Sequence, residues 1–230
     1  MVVTLFDLDH TLLPLDTNQA WISFLCDAGA LDAGLYQRAA LAMKQRYLAG
    51  GDDPDIAFCE FFIGTLSLFE PAHLLDLRAQ FVTRMVLPAI DQRARNLVDL
   101  HRAQGDVLVI ITATNQFITA PVAQAFGIEH LIATECERVD DRFTGRVSGI
   151  PSMRSGKVTR LDAWLSSEPV KGLSSRRSID QLRFYSDSIN DRALLEQVDL
   201  PIAVDPDHAL ALLADERGWP VIELNQPRPR

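Results

Sequence analysis

Asp7 and Asp9 stand one residue apart in "FDLDHTLL" (residues 6–13), directly behind the apolar run Val2–Leu5. Two carboxylates that close repel each other, and burying them under an apolar sheet is costly unless a cation or a proton compensates. Residues two apart on an extended strand project to one side, so the pair could share a site; aspartates also end strands and cap helices, and the motif alone does not separate these readings. A second acidic group, "FYSDSIND" (184–191), follows another apolar run and brings Asp187 and Asp191. Within it Asn190 is placed to cap a helix over 192–198 or to face a ligand. Four carboxylates delivered to one edge call for a cation, and an all-oxygen donor set suits Mg2+, which takes about six oxygens and keeps some water.

A third apolar run, "VLVII", leads into "TATN" (112–115), where the Thr112 hydroxyl and the N–H beside the small Ala113 are donors suited to phosphoryl oxygens or to an ordinary turn. Lys157, in "SGKVTRLDAWL", falls at the start of a predicted helix, where the dipole disfavours a cation. Its placement asks for negative partners.

The elements that must position these groups alternate. Short β-branched runs at Val2–Phe6, Val107–Ile111, Leu182–Tyr185, Ile202–Val204 and Pro220–Ile222 read as parallel strands buried on both faces. Between them the patterns at 96–103, 120–126, 158–165 and 209–217 are helical, which predicts an α/β fold with a Rossmann-like parallel sheet flanked by helices. From Asp16 to about Leu87 the strand signal stops, and apolar positions such as Trp21, Phe24, Leu25, Phe58, Phe61, Phe62, Leu74, Leu77 and Phe81 recur at helical spacing. So long a segment is expected to fold as an inserted α-helical bundle, a lid over the active edge. Residues 137–149, with Asp140-Asp141 at the turn, predict a β-hairpin.

The chain has 230 residues with 31 acidic and 22 basic side chains, a formal net charge of -9 that disfavours binding to nucleic acid or anionic membrane. The Arg176-Arg177 pair and the closing "RPR" read as solvated surface. Cys26, Cys59 and Cys136 form no CxxC, so neither a disulfide framework nor a zinc site is expected, and a reducing cytoplasm fits. No run approaches the length of a membrane span, and the first residues lack a basic leader. Oligomeric state is not legible.

Taken together, "DLDHT", the Thr after a hydrophobic strand, the helix-start Lys and "SDSIND" resemble, in order, the four motifs of the haloacid dehalogenase superfamily, over nearly the whole chain. The insertion lies where that superfamily carries its C1-type caps, and the chain resembles the phosphoserine-phosphatase-like branch. The resemblance implies a core of 1–15 and 88–230 with a cap of 16–87. It implies Asp7 as nucleophile forming an aspartyl-phosphate, and Asp9 as acid and base for the leaving alcohol and the water. It further implies Mg2+ on the Asp7 carboxylate, the Asp9 carbonyl and Asp187, with Asp191 supporting through water, and Thr112, the Ala113 N–H and Lys157 on the phosphoryl oxygens. His10 is expected to face away and pack.

The substrate implied is a small phosphorylated metabolite. Asp16 lies where phosphoserine phosphatases carry an acid aimed at the substrate amine, and equally suits a cap for a helix starting near Asn18. The region where those enzymes hold a lid arginine, "DIAFCEFFIGTL", has no basic residue. With "VIITATNQF", "ATECE" and "FYSDSIND" resembling the histidinol-phosphatase-like members, an amine without a carboxylate is expected, and histidinol phosphate is the leading candidate. Phe58, Phe61 and Phe62 are its ring partners or part of the core. A phosphoserine or broader phosphatase is the alternative, followed by a phosphotransferase and a silent binding module.

Overall fold

The computed structural model describes residues 1–49, 54–167 and 179–225; Arg176, Arg177 and the tail at 228–230 lie outside them. Six strands form one sheet: β1 (Val2–Phe6), β2 (Val107–Asn115), β3 (His130–Thr134), β6 (Gln181–Ser186), β7 (Leu200–Val204) and β8 (Val221–Ile222), in the order β3-β2-β1-β6-β7-β8. Every neighbouring pair is parallel. The chain winds outward from β1 to one side through β2 and β3, then returns to build the other side from β6. This makes the gap between the carboxyl ends of β1 and β6 a switch point, where open parallel sheets bind ligands.

The strands read as apolar runs because both faces are covered. Val3 and Leu5 join Val109, Ile111, Phe184 and Ala203 in one layer, against α8 (Ser155–Ser166), α9 (Arg192–Leu195) and α10 (His208–Arg217). Phe6, Ile110, Tyr185, Ile202 and Val204 face the other way, onto α6 (Gln92–Ala103) and α7 (Gln116–Ala125).

Between the curl at 7–16 and α6 the regular elements among the described residues are helical: α1 (Thr17–Asp27), α2 (Ala33–Ala49), α3 (Pro54–Gly64), α4 (Pro71–Phe81), a wider turn at Val82–Val86, and the short α5 (Leu87–Ala89). Trp21 is fully buried, its ring edge-on to Phe81 at 5.3 Å and its indole N–H donating to Thr65 Oγ1 at 3.0 Å. The apolar side chains of this insertion run without a break, through Leu8, Leu12 and Leu13, into the α6 and α7 layer. The hairpin of β4 (Cys136–Val139) and β5 (Arg142–Val147) turns through Asp140 and Asp141, both at positive φ, and lies against the insertion. At Gly145, φ +88°, an added Cβ would come 3.3 Å from Gly64 Cα, so glycine permits the approach.

Three expectations are corrected. Strand β3 was not anticipated. Helix α7 starts at Gln116 rather than 120, because the Asn115 side chain accepts from the Ile118 N–H at 3.1 Å and caps it, with Pro121 inside. The helix expected over 192–198 ends at Leu195, its C-cap N–H already turned back to Arg192.

Candidate active site

Asp7 is the first residue past β1, and its N–H donates to the Tyr185 carbonyl at 2.9 Å, extending the pairing with β6 by one step. Its carboxylate is buried, with Oδ1 accepting from Lys157 Nζ at 2.6 Å. The same ammonium donates to Asp191 Oδ2 at 2.7 Å, an oxygen that also accepts from the Ser186 hydroxyl at 2.7 Å. Lys157 is 2 % exposed. Burial works against its charge, but Asp191 and Asp7 outweigh that and hold the amine above the ordinary lysine range. Burial pushes Asp7 up to about 6, with Lys157 pulling the other way and Asp191 adding to the rise.

Lys157 reaches this position because the turn before α8 is rigidly made. Met153 and Gly156 N–H groups bond to the carbonyls of Pro151 and Met153 at 2.9 and 2.8 Å, and Arg154 sits at φ 48°. A Cβ on Gly156 would stand 2.1 Å from the Pro151 carbonyl oxygen, so only glycine fits.

Beyond Asp7 the chain leaves the extended form and curls, the N–H groups of Thr11 and Leu13 returning to the Leu8 carbonyl at 3.3 and 2.9 Å. The Asp9 carboxylate accepts from the Thr17 N–H at 3.1 Å, the Thr17 hydroxyl at 3.0 Å and the Thr114 hydroxyl at 2.8 Å. Burial, then Asp16 and Asp7, push Asp9 up to about 8, while the threonine hydrogen bonds oppose the rise. The curl also corrects the placing of His10. Strand alternation ends before it, and at φ 62° it lines the same cavity as the aspartates. Asn225 steadies this loop, its side-chain amide donating to the His10 and Thr11 carbonyls at 2.9 and 3.1 Å.

The cavity, about 600 Å³, brings together Asp7, Asp9, Asp16, Thr112, Ala113, Lys157, Asp187, Asn190 and Asp191. Thr112 Oγ1 accepts from the Thr114 N–H at 3.2 Å, and Asp187 Oδ1 from the Thr11 hydroxyl at 3.3 Å. Asp16 does cap α1, accepting from the Gln19 N–H at 2.9 Å, and it lines the cavity as well. Asn190 caps no helix: it lies in the short 3-10 turn Ile189–Asp191, whose N-cap is Ser188, with Oγ accepting from the Asn190 N–H at 3.3 Å, and α9 itself begins behind Asp191 without a side-chain cap bond. Phe58 and Phe62 line the cavity, while Phe61 lies behind, edge-on to Phe62 at 5.1 Å.

Four residues escape a reading of the sequence. Thr17 and Thr114 hold Asp9. Arg154 and Tyr47 line the cavity, the guanidinium carbon 4.5 Å over the Tyr47 ring. Arg154 also pairs with Asp55 at 3.3 Å, so a guanidinium from the turn before α8 lies beside the 55–66 segment, which has no basic residue of its own.

Among the described residues no three His, Cys, Asp or Glu side chains form a ready-made metal cage. The Asp9 carboxylate is turned to the threonines, and Asp191 is engaged by Lys157 and Ser186. Asp7, which accepts from Lys157 through one oxygen, and Asp187, which accepts from the Thr11 hydroxyl, add two carboxylates that main-chain and water oxygens can join. That hard, incomplete donor set fits Mg2+, which keeps several waters, and does not fit zinc or copper.

The model of the haloacid dehalogenase-like hydrolase family matches residues 4–196. A histidinol-phosphatase of Neisseria meningitidis is 37 % identical over 221 residues, covering 96 % of this chain and 97 % of the relative. A crystal structure of a Bordetella pertussis protein of unknown function superposes with a TM-score of 0.91 at 41 % identity, over 97 % of this chain and 98 % of that one. A substrate-bound phosphoserine phosphatase shares the fold, with a TM-score of 0.63 at 16 % identity, over 96 % and 91 % of the two chains.

Proposed function

The chain belongs to the haloacid dehalogenase-like hydrolase family, and on that premise we propose that it is a Mg2+-dependent phosphomonoesterase acting through an aspartyl-phosphate, with histidinol phosphate as substrate. The observation that carries the reaction is Lys157 Nζ, buried and shared between Asp7 at 2.6 Å and Asp191 at 2.7 Å. An ammonium there offsets the repulsion between a carboxylate nucleophile and a phosphate dianion, and Asp191 keeps it charged and aimed.

In this reading residues 16–87 act as the cap over a core of 1–15 and 88–230. The second oxygen of Asp7 attacks phosphorus as the ester bond breaks, while Thr112, the Ala113 N–H and Lys157 hold the phosphoryl oxygens. Asp9, whose carboxyl titrates at about 8, arrives protonated at neutral pH and gives its proton to the departing alkoxide. The resulting carboxylate then takes a proton from the water that cleaves the acyl-phosphate, and Asp7 is regenerated. Mg2+ would be held by the Asp7 and Asp187 carboxylates and the Asp9 carbonyl, with Asp191 behind, and would supply further charge neutralisation for the phosphoryl group.

Residues lining the cavity support the substrate choice. Asp16 offers a carboxylate to an amine, Phe58 and Phe62 offer aromatic neighbours to a ring, and Asn190 lines the same cavity. The histidinol-phosphatase relative supports the same choice. Three free thiols support a cytoplasmic location.

Phosphate release measured with Mg2+ present should show a specificity constant for L-histidinol phosphate well above that for phosphoserine; equal or faster turnover of phosphoserine removes the substrate. An Asp7→Asn protein, folded and free of deamidation, should be inactive, and wild-type velocity in it removes the covalent route.

A further inference from the structure

Among the described residues, the charged side chains lining the cavity outside the Asp7, Asp9, Asp187, Asp191 and Lys157 cluster are Asp16, Arg154 and, when protonated, His10. The arginine is oddly placed for a residue of the helix it precedes. It occupies the position before α8 yet makes no side-chain cap bond, and it holds φ 48° and ψ -125°, a conformation that a side chain adopts only at a cost. The same turn fixes Lys157 three residues on, so Arg154 is rigidly related to the phosphoryl end of the cavity. Its guanidinium crosses to the insertion, over the Tyr47 ring of α2 and beside Asp55 in the first turn of α3. Phe58 continues that aromatic wall, 4.9 Å from Tyr47.

A guanidinium on a cavity wall is a ready grip for a carboxylate. Here Asp55 has taken it. The contact is electrostatic more than a formed hydrogen bond, because Asp55 Oδ1, at 3.3 Å, has no properly aligned donor. We propose that Asp55 is a specificity residue: by neutralising Arg154 it denies a substrate carboxylate its cation, leaving Asp16 as the uncompensated charge lining the cavity outside the Asp7–Lys157 cluster. The site then selects phosphomonoesters carrying an amine and rejects those carrying an amine and a carboxylate, which is discrimination by a built-in repulsion. This rests on the phosphomonoesterase reading above and deepens it.

The test uses two probes that differ by one carboxylate, O-phosphoethanolamine and O-phospho-L-serine, and reads the ratio of their kcat/KM values. Wild type should favour phosphoethanolamine. Asp55→Asn frees the guanidinium and should move the ratio toward phosphoserine by about tenfold or more, chiefly through the KM of phosphoserine. Arg154→Gln leaves Asp55 unpaired and should move it the other way, while Asp55→Glu should keep the wild-type ratio. A ratio that stays within about twofold in both Asp55→Asn and Arg154→Gln, or that moves the same way in both, overturns the inference and leaves the amine-selective phosphatase standing. Wild-type preference for phosphoserine overturns the amine-selective reading itself, and this inference with it.

Discussion

A lysine at the start of a helix is placed against the dipole, and Lys157 is tolerated there because two carboxylates meet its ammonium within 2.7 Å. That meeting was legible in the sequence as a list of residue types, since Asp7, Asp187 and Asp191 each follow an apolar strand and Lys157 lacked any local reason for its position. The hydroxyls on Asp9 were not legible, because Thr17 and Thr114 come from different elements and only the tertiary fold points both at one carboxylate. Their grip bears on the acid–base role proposed for Asp9. In Asp9→Asn the alkoxide of an alkyl phosphate must leave without a proton, so turnover should fall by roughly a hundred- to ten-thousand-fold. An aryl ester such as p-nitrophenyl phosphate needs no such help in the first step, but its acyl-phosphate still waits for a base. Stopped-flow should therefore record a burst of nitrophenolate followed by slow release, approaching one equivalent per site. A variant with no burst and equal losses on both esters would take the acid-base role away from Asp9.

At the level of elements, the strands buried on both faces announced themselves, since the runs at Val2–Phe6, Val107–Ile111, Leu182–Tyr185 and Ile202–Val204 are apolar or aromatic but for Thr4 and Arg183. Strand β3 did not. It pairs with β2 alone and opens with His130 and Leu131, which are only half-buried, so its pattern is too mixed to rise above a loop. The start of α7 was hidden for a different reason: a proline suits the first turn of a helix, so Pro121 masks a start five residues earlier, and the true signal is the single capping side chain of Asn115. The turn into α8 carries the most exacting demand on sequence, because an alanine Cβ at Gly156 would meet the Pro151 carbonyl at 2.1 Å, and backbone cannot yield as a flexible side chain would. Gly156→Ala should push the 151–157 turn outward and carry Lys157 with it. A displacement of about 1 Å at such a group costs on the order of a hundredfold in kcat/KM. Steady-state kinetics beside a thermal melt would check this, and an unaltered rate would show that the turn does not position the lysine.

Over the whole molecule, the sheet has a reactive pole at its carboxyl edge and a polar knot on one face. In the knot, Asp106 Oδ2 lies 2.8 Å from His101 Nδ1 and 2.9 Å from Arg183, and it accepts from the Thr4 hydroxyl at 2.8 Å. His101 Nε2 is 2.9 Å from the Tyr185 hydroxyl, and Phe6 stacks on Tyr185 at 5.2 Å. These contacts join α6, the loop before β2, β1 and β6, and Tyr185 in turn carries the carbonyl that fixes the Asp7 backbone. Burial holds His101 below its ordinary range, Asp106 opposing through its hydrogen bond and Arg183 adding to the fall. In the unfolded chain the imidazole takes a proton near pH ~6.5, whereas the folded one refuses it until the pH is lower. As pH falls through that interval the unfolded state binds the extra proton, so native stability drains away, and the loss stops growing once the folded imidazole is also charged. His101→Gln has no such proton to bind. The stability difference between wild type and this variant, from urea titrations at several pH values, should be widest above pH ~7 and narrow steadily below pH ~6.5. A difference that stays constant across the range would mean that His101 is protonated in the fold as readily as outside it, and that the knot contributes nothing to acid sensitivity.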